Sequence, residues 1–295
     1  MNPSLSVLYS ELVLSLYPIL IKTVDTNLFS QLLARFFVFP ALALVFGSLK
    51  DFYLVWSNPY ESFVGVLNGL MNLGHIAVSY ISFKNLPVGT AISLFYLYPI
   101  FNIIAGTILF GEKLTLQMIL LIGVAFLGVY LIATSKNKKE GFEEDTKENE
   151  KEKYNMGVVM GIMAALTETM IFVFVRWNKE ATKSPFYTVN HLYPAGLLLL
   201  GGYALANKSI VDTSKLNWIK LLGFNGLLGF TGYIARFYAI PKVPTIVFSL
   251  LSFIGVAFGY MWGMIFTDDQ PTGRAIIGGG LIASAIAILR YFQFE

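Results

Sequence analysis

The 295-residue chain contains no cysteine and only two histidines, and each shortage removes a class of chemistry. Without cysteine there are no disulfides, no thiol redox chemistry and no cysteine-ligated metal. The sequence also lacks the His-Glu-x-x-His, Gly-x-Ser-x-Gly and Gly-x-x-x-x-Gly-Lys patterns of metalloproteases, hydrolases and phosphate-binding loops. We therefore predict no catalytic residues, no metal site and no cofactor, and a protein that is not an enzyme.

Charged residues are scarce as well, at 13% of the chain, whereas 56% of residues are hydrophobic. Between the few charged places the apolar stretches reach roughly 17 to 25 residues, enough for a helix to cross about 30 Å of hydrocarbon. The formal charge of +3 is too small to indicate nucleic acid as a partner. The composition thus predicts an all-α, polytopic membrane protein surrounded by the lipid bilayer.

Ten apolar stretches have membrane length, and a charged connector divides them into two groups of five. The connector, residues 136–154, consists almost entirely of lysine, acidic and other polar residues, so we expect a solvated and disordered linker. It separates a first repeat, residues 1–135, from a second, residues 155–295. The first apolar stretch has no basic region or cleavage pattern, so we expect it to be retained as a helix. The predicted helices are 4–21, 28–46, 63–83, 88–110, 116–133, 156–175, 187–205, 218–240, 243–266 and 273–291.

The two halves resemble each other in sequence. Residues 67–70 (Leu-Asn-Gly-Leu) and 76–80 match residues 224–227 (Phe-Asn-Gly-Leu) and 234–238, once a slip of one residue is allowed between the two runs. An odd number of helices in each repeat places the two copies in opposite orientations across the bilayer. We therefore predict two inverted five-helix repeats, an architecture in which secondary transporters hold substrate at the repeat interface.

Polar residues follow one face of the predicted third and eighth helices at spacings of three or four residues. In hydrocarbon such a face must meet protein or water, because each unpaired polar group costs several kcal/mol. Two interpretations stay open: the faces line a cavity, or they form hydrogen bonds that only hold the helices together. The third-helix face consists of Asn68, Asn72, His75, Ser79 and Ser82, and the eighth-helix face of Asn225, Gly229, Gly232 and Arg236.

Ionisable residues lie inside four more predicted helices. Glu11 and Glu168 occupy the middle of corresponding helices, where a charge needs a partner, a proton or water. They either serve a cation or proton, or form a Glu-Arg pair that locks two helices. Arg35 and His191 also correspond; Arg35 is suited to clamp an anion, and the alternative for both is contact with lipid headgroups.

The candidate substrate-binding residues combine these positions with the fourth helix, where Pro99 removes a backbone hydrogen bond. Tyr96 precedes this interruption and joins the first group of candidates. The first group is Glu11, Arg35, Asn72, His75, Tyr96, Glu168 and Arg236, and the second is Asn68, Ser93, His191, Asn225, Ser249 and Ser252.

Several short motifs together resemble the EamA domain of the drug/metabolite transporter superfamily. The resemblance covers both halves and implies ten helices, cytoplasmic termini, and export or exchange of small polar metabolites by alternating access. The motifs are residues 86–91 (Leu-Pro-Val-Gly-Thr-Ala), 97–100 (Leu-Tyr-Pro-Ile), 110–115 (Phe-Gly-Glu-Lys-Leu-Thr), the glycine-spaced helix 119–132, Arg35 and Lys22.

The second half departs from this pattern. Asp268-Asp269 stands where the first half has Gly111-Glu112, and His191 stands where it has Arg35. We therefore expect the two halves to contact substrate asymmetrically. The connector lysines, by the positive-inside rule, favour a cytoplasmic connector, which conflicts with the cytoplasmic termini that the resemblance implies.

The leading hypothesis is a secondary transporter for a small polar or zwitterionic, amino-acid-like metabolite, coupled to protons or to exchange. In it Arg35 or Arg236 holds an anionic group and Glu11 or Glu168 meets a cationic group or a proton. A carrier for lipophilic cations and a non-transporting membrane scaffold are the alternatives. The expected partners are a small-molecule substrate and the bilayer, with a homodimer left open, and the expected membrane is the plasma (cell inner) membrane.

Overall fold

The computed structural model describes residues 2–86, 88–133, 147–267 and 272–292, which form helices and turns without a strand. The predicted all-α fold is confirmed. The α-helices are α1 (Pro3–Leu14), α2 (Tyr17–Thr23), α3 (Leu28–Phe46), α4 (Leu49–Trp56), α5 (Pro59–Asn85), α6 (Val88–Phe95), α7 (Tyr98–Phe110), α8 (Leu116–Ala133), α9 (Lys147–Trp177), α10 (Pro185–Leu192), α11 (Pro194–Ala206), α12 (Lys215–Phe224), α13 (Phe230–Ala239), α14 (Thr245–Ser252), α15 (Ile254–Phe266) and α16 (Gly273–Phe292). A 3₁₀ turn (Lys208–Ile210) precedes α12, and a π-helical turn (Asn225–Gly229) joins α12 to α13.

Several predicted helices are broken in the middle. Pro18, Pro99 and Pro194 lie in the first turn of α2, α7 and α11, directly after a break in each case. Proline has no amide hydrogen and its ring clashes with the carbonyl four residues earlier, so the helix before it ends. Both repeats therefore contain interrupted helices, whose freed backbone and adjacent side chains lie inside the protein.

Two predicted helix starts differ from the structure by four residues or more. Helix α9 begins at Lys147 rather than 156, so the last part of the connector is helical; lysine and glutamate are good helix formers and extend the apolar helix. The rest of the connector, residues 136–146, lies outside the described residues. Helix α5 begins at Pro59 rather than 63, because the Asn58 side chain accepts hydrogen bonds from the amides of Tyr60 and Glu61.

Six helical stretches are long and apolar enough to cross a membrane, within the part of the chain that the structure describes. They include broken pairs such as α1 with α2 and α6 with α7. Two further apolar helices, 116–132 and 276–288, are shorter. A polytopic membrane protein is thus supported, and the total of ten crossings stays a prediction.

The slip in the sequence repeat coincides with the π-helical turn. The matching runs lose register by one residue after residues 224–227, and the turn Asn225–Gly229 absorbs one residue more than an α-helical turn does. The pattern of buried residues slips by one residue at the same place, although its register differs by one residue from that of the sequence match. By burial, Leu221 and Asn225 correspond to Gly65 and Gly69 before the turn, and Arg236 and Phe237 correspond to Ser79 and Tyr80 after it.

The Asn225–Gly229 turn receives a side chain from the first repeat. The Tyr17 hydroxyl donates a hydrogen bond of 2.9 Å to Asn225 Oδ1. A β-carbon at Gly229 would collide with that hydroxyl, so glycine is required for the close approach.

A second contact between the repeats lies where α7, α9 and α14 meet, and we call Glu112, Arg176 and Thr245 the latch. Glu112 Oε1 lies 2.6 Å from Arg176 Nη2 and accepts from the Thr245 amide (3.1 Å) and hydroxyl (2.7 Å). Gly111, with a φ of 65°, ends α7 and turns the chain so that Glu112 points into this contact. The latch therefore joins the end of the first repeat to two helices of the second.

Gly229→Ala should lower the free energy of unfolding by about 1–3 kcal/mol, because the added methyl group must displace Tyr17. Gly223→Ala is the matched control in the preceding helix α12, since nothing lies within 4 Å of its added β-carbon. Thermal unfolding in detergent measures both variants. Equal midpoints for the two would contradict the close Tyr17 contact.

Glu112→Gln should weaken the latch by about 1–2 kcal/mol, because the amide keeps the shape and loses the charge attraction to Arg176. Glu180→Gln serves as the control, since Glu180 pairs with the 68% exposed Lys183 and such surface pairs are worth little. Apparent unfolding midpoints at low and high salt are the measurement. A control variant as unstable as Glu112→Gln would argue that the latch is not a special contact.

Candidate functional site

Four buried ionisable side chains form a continuous series, which we call the ion chain: Glu11, Arg236, Glu168 and His75. Arg236 Nη1 lies 2.8 Å from Glu11 Oε1, and its Nη2 lies 2.7 Å from Glu168 Oε1. His75 Nε2 lies 3.0 Å from Glu168 Oε2. All four residues are at most 2% exposed. Because they come from α1, α13, α9 and α5, the ion chain connects both repeats.

The break between α6 and α7 supplies further partners for Glu11. The Tyr96 hydroxyl donates to Glu11 Oε2 (2.6 Å) and the Tyr98 hydroxyl to Oε1 (2.9 Å). Gly255 of α15 gives Tyr96 the necessary room, because an added β-carbon there would collide with the phenol. Together with Arg236, these tyrosines give Glu11 three hydrogen-bond donors from the protein in the closed structure.

Arg35 is held in a different way, between aromatic rings. Its guanidinium carbon lies 4.6 Å from the ring centre of Tyr17 and 4.5 Å from that of Tyr233. Its Nη1 and Nη2 make only long hydrogen bonds to the hydroxyls of Tyr80 (3.4 Å) and Tyr193 (3.2 Å). We call these four tyrosines the tyrosine cage. No carboxylate lies within 4.0 Å of Arg35 among the described residues, and its Nε has no hydrogen-bond partner there.

The tyrosine cage and the ion chain border one small, buried cavity between the repeats. Its free space is about 30 Å³, which is room for about two water molecules. The wall includes side chains of α2, α3, α5 and α13 and of the break between α6 and α7, so both repeats contribute. Among the lining residues are Ser15, Arg35, His75, Ser79, Tyr96 and Arg236, whereas Glu11 and Glu168 lie behind them.

The predicted asparagines fall outside this wall. Asn72 donates 3.0 Å to the carbonyl of Leu192, where α10 ends. Asn68 Nδ2 lies 3.3 Å from His191 Nδ1, and Asn225 accepts from Tyr17. These contacts match the interpretation in which polar groups hold the helices together.

The predicted serines also make local contacts. Ser93 and Ser252 donate to the carbonyls of Gly89 and Phe248 in the preceding turn. Ser249 is fully buried, and its hydroxyl has no hydrogen-bond partner in the described part of the chain. His191, besides Asn68, lies 3.5 Å from Glu61.

Sequence reasoning missed the tyrosine cage. Tyr193 and Tyr233 lie at least six residues inside their predicted helices, whereas tyrosine in membrane helices concentrates at the interface, so their depth was an available signal. Tyr17 and Tyr80 lie within four residues of a predicted helix end and gave no such signal. The convergence of all four on Arg35 gave none either, since it depends on how four separate helices pack.

A helical bundle with broken helices in both repeats and buried charges around a central cavity defines a membrane transporter rather than an enzyme. The model of the EamA-like transporter family matches residues 3–134 and 155–291. The chain belongs to this family, which confirms the resemblance noted in the sequence.

The chain is similar to several named proteins at low identity. It is 21% identical to the pseudopaline exporter CntI of Pseudomonas aeruginosa over 76% of this chain and 73% of the relative. It is 22% identical to an uncharacterized transporter of Archaeoglobus fulgidus over 96% and 94% of the two chains. A solved crystal structure of a protein with 15% identity superposes with a TM-score of 0.73 over 98% of both chains, which supports the fold alone.

Arg236→Gln should destabilise the protein by about 3–5 kcal/mol, because it leaves two buried carboxylates without their cation. Adding Glu11→Gln and Glu168→Gln should recover much of that loss, since the uncompensated charges then disappear. Unfolding midpoints of the single, double and triple variants measure the coupling. Additive losses across the series would contradict a shared ion chain.

Proposed function

We propose that this transporter is a secondary carrier that moves a small polar metabolite by alternating access, with an amino-acid-like zwitterion as the candidate from the sequence. One observation carries the proposal: a small, buried cavity lined from both repeats by the buried side chains of Arg35, His75 and Arg236. Buried charges that face a cavity inside a membrane protein are costly unless they serve a solute, an ion or water.

Contacts close the protein on both sides of this cavity. The latch lies on one side. On the other, Asn217 Nδ2 donates 2.7 Å to the carbonyl of Asp25 and Asn27 Nδ2 donates 2.8 Å to that of Ile210. With room for about two waters inside, the conformation fits a closed intermediate, and a carrier must open one set of contacts at a time.

The proposal also covers the direction of transport, its energetic coupling and the membrane in which the protein lies. The name of the Pseudomonas aeruginosa relative, a pseudopaline exporter, supports outward movement of a metabolite. We propose the plasma membrane as the location, and coupling either to protons or to exchange of a second solute.

A carrier for lipophilic cations needs a carboxylate that is free to meet the solute. Glu11 and Glu168 lie within 2.8 Å of Arg236 and are not part of the cavity wall, which weighs against this alternative. A scaffold without transport would need a cavity that never reaches water, which can be tested directly.

Ser79→Cys should react with a membrane-impermeant thiol reagent, because Ser79 lines the cavity and the cavity of a carrier opens to water during each cycle. Ser10→Cys is the control, since Ser10 is fully buried, bonds to the carbonyl of Val7 and does not line the cavity. The native chain has no cysteine, so it provides a clean background.

The measurement is the labelling rate in proteoliposomes, together with uptake from a mixed pool of metabolites. We expect labelling of Ser79→Cys from at least one side and accumulation of some polar solute above empty vesicles. Equal inertness of both cysteines, with no uptake, would favour the scaffold.

A further inference from the structure

We propose that the transported solute is a small organic carboxylate, and that its carboxylate group binds the Arg35 guanidinium where Arg35 and Tyr80 line the cavity. This inference rests on the proposed carrier function and narrows its substrate class. The sequence hypothesis placed one group to bind an anion and another to bind a cation. The present proposal keeps only the anion-binding group.

The first support is the charge of the side chains that line the cavity. The ionisable side chains on it, apart from tyrosines, are Arg35, His75 and Arg236, and all three are basic. Glu11 and Glu168 balance the two arginines in formal charge, but they lie behind Arg236 and His75. A solute in the cavity therefore meets positive groups first, and an ammonium group finds no exposed carboxylate.

The second support is the difference between the two arginines. Arg236 has a carboxylate oxygen within 2.8 Å of each terminal nitrogen. Arg35 has five N–H donors, and the described residues offer two long hydrogen bonds to phenols and no carboxylate. A buried guanidinium in this state has no carboxylate bonded directly to it, and a bound anion would supply one.

The tyrosine cage favours a group that accepts several hydrogen bonds at once. The ring centres of Tyr17 and Tyr233 lie 6.4 Å apart, so the two rings occupy adjacent sides of the guanidinium rather than its opposite faces. A carboxylate suits a guanidinium because it accepts two parallel hydrogen bonds. Tyr80 and Tyr193 accept from Arg35, and each keeps its own hydroxyl proton to donate to the same carboxylate.

A phosphate ester fits these features less well. Its phosphate carries up to two charges, whereas the cavity wall offers one guanidinium, that of Arg35, without a carboxylate partner. The open space of about 30 Å³ in the closed conformation also favours the smaller group.

The test uses Ser79→Cys as a reporter and asks which compounds protect it from the thiol reagent. Probes share one skeleton and differ in charge: 3-phenylpropionate, phenylalanine, 2-phenylethylamine and phenyl phosphate, and a second series with 4-methylpentanoate, leucine, isoamylamine and isoamyl phosphate. We expect the two acids to slow labelling at lower concentration than any other member of their series. Better protection by the amine, the amino acid or the phosphate ester, or no protection by any probe, would overturn the proposal.

Variants of Arg35 connect protection to the residue. Arg35→Gln should raise the half-protecting acid concentration roughly a hundredfold, because two charge-assisted hydrogen bonds are lost, and Arg35→Lys by about tenfold. Arg274→Gln, which removes the same charge from an exposed position of α16, should change nothing. If Arg35→Gln fails to fold, Tyr193→Phe keeps the ring and removes one phenol donor, and it should weaken protection several-fold. Unchanged protection in these cage variants would count against the site.

Failure of this inference differs from failure of the carrier proposal. A reactive Ser79→Cys that no acid protects would leave a carrier with another substrate class. An unreactive Ser79→Cys would reject the water-accessible cavity itself, and with it both proposals.

Discussion

The position of Arg236 between Glu11 and Glu168 is the interaction on which the interior depends. A single guanidinium holds one carboxylate from the first repeat and one from the second. Each of these charges alone would cost several kcal/mol in a low-dielectric interior, so the three are tolerated only together. Tyr96 and Tyr98 donate hydrogen bonds to Glu11 beside this pairing, and His75 Nε2 lies 3.0 Å from Glu168 Oε2. The relative placement of α1, α9 and α13 is thereby fixed by charge as well as by packing.

This pairing also explains why the charge of Arg35 is stabilised in a different way from that of Arg236. Both buried carboxylates near the cavity are already occupied, so the second guanidinium is stabilised by aromatic faces and weak phenol contacts. Cation–π contacts of this kind contribute about 0.5–2 kcal/mol each, which lowers the cost of burial without cancelling the charge. In the proposed carrier, one arginine therefore serves the architecture and the other binds the ligand.

The sequence predicted the helical class, the duplication and most of the buried ionisable residues, because apolar length and intramembrane charge are properties of short segments. Glu11, Glu168 and Arg35 stand out for that reason. Their partners do not, since Glu11 and Arg236 are far apart in the chain and meet only through tertiary packing. The tyrosine cage also forms only through tertiary packing. The start of α9 was missed for another reason: helix propensity extends the helix into a segment whose composition is typical of a linker. The alternative of a Glu-Arg pair, left open from sequence, describes the geometry of Glu11 and Glu168.

The π-helical turn connects the duplicated sequence to this unequal use of its residues. Each residue added to an α-helix rotates the remainder of the helix by about 100°, so an extra residue in the eighth predicted helix would turn Arg236 away from Glu11 and Glu168. The turn Asn225–Gly229 absorbs that residue, and Arg236 and Phe237 remain at the buried positions that Ser79 and Tyr80 hold in the first repeat. Where the first repeat presents a serine hydroxyl to the cavity, the second presents a guanidinium to two carboxylates. A duplicated scaffold can carry a one-sided binding site because this local distortion keeps the register of the core while the residues on it differ.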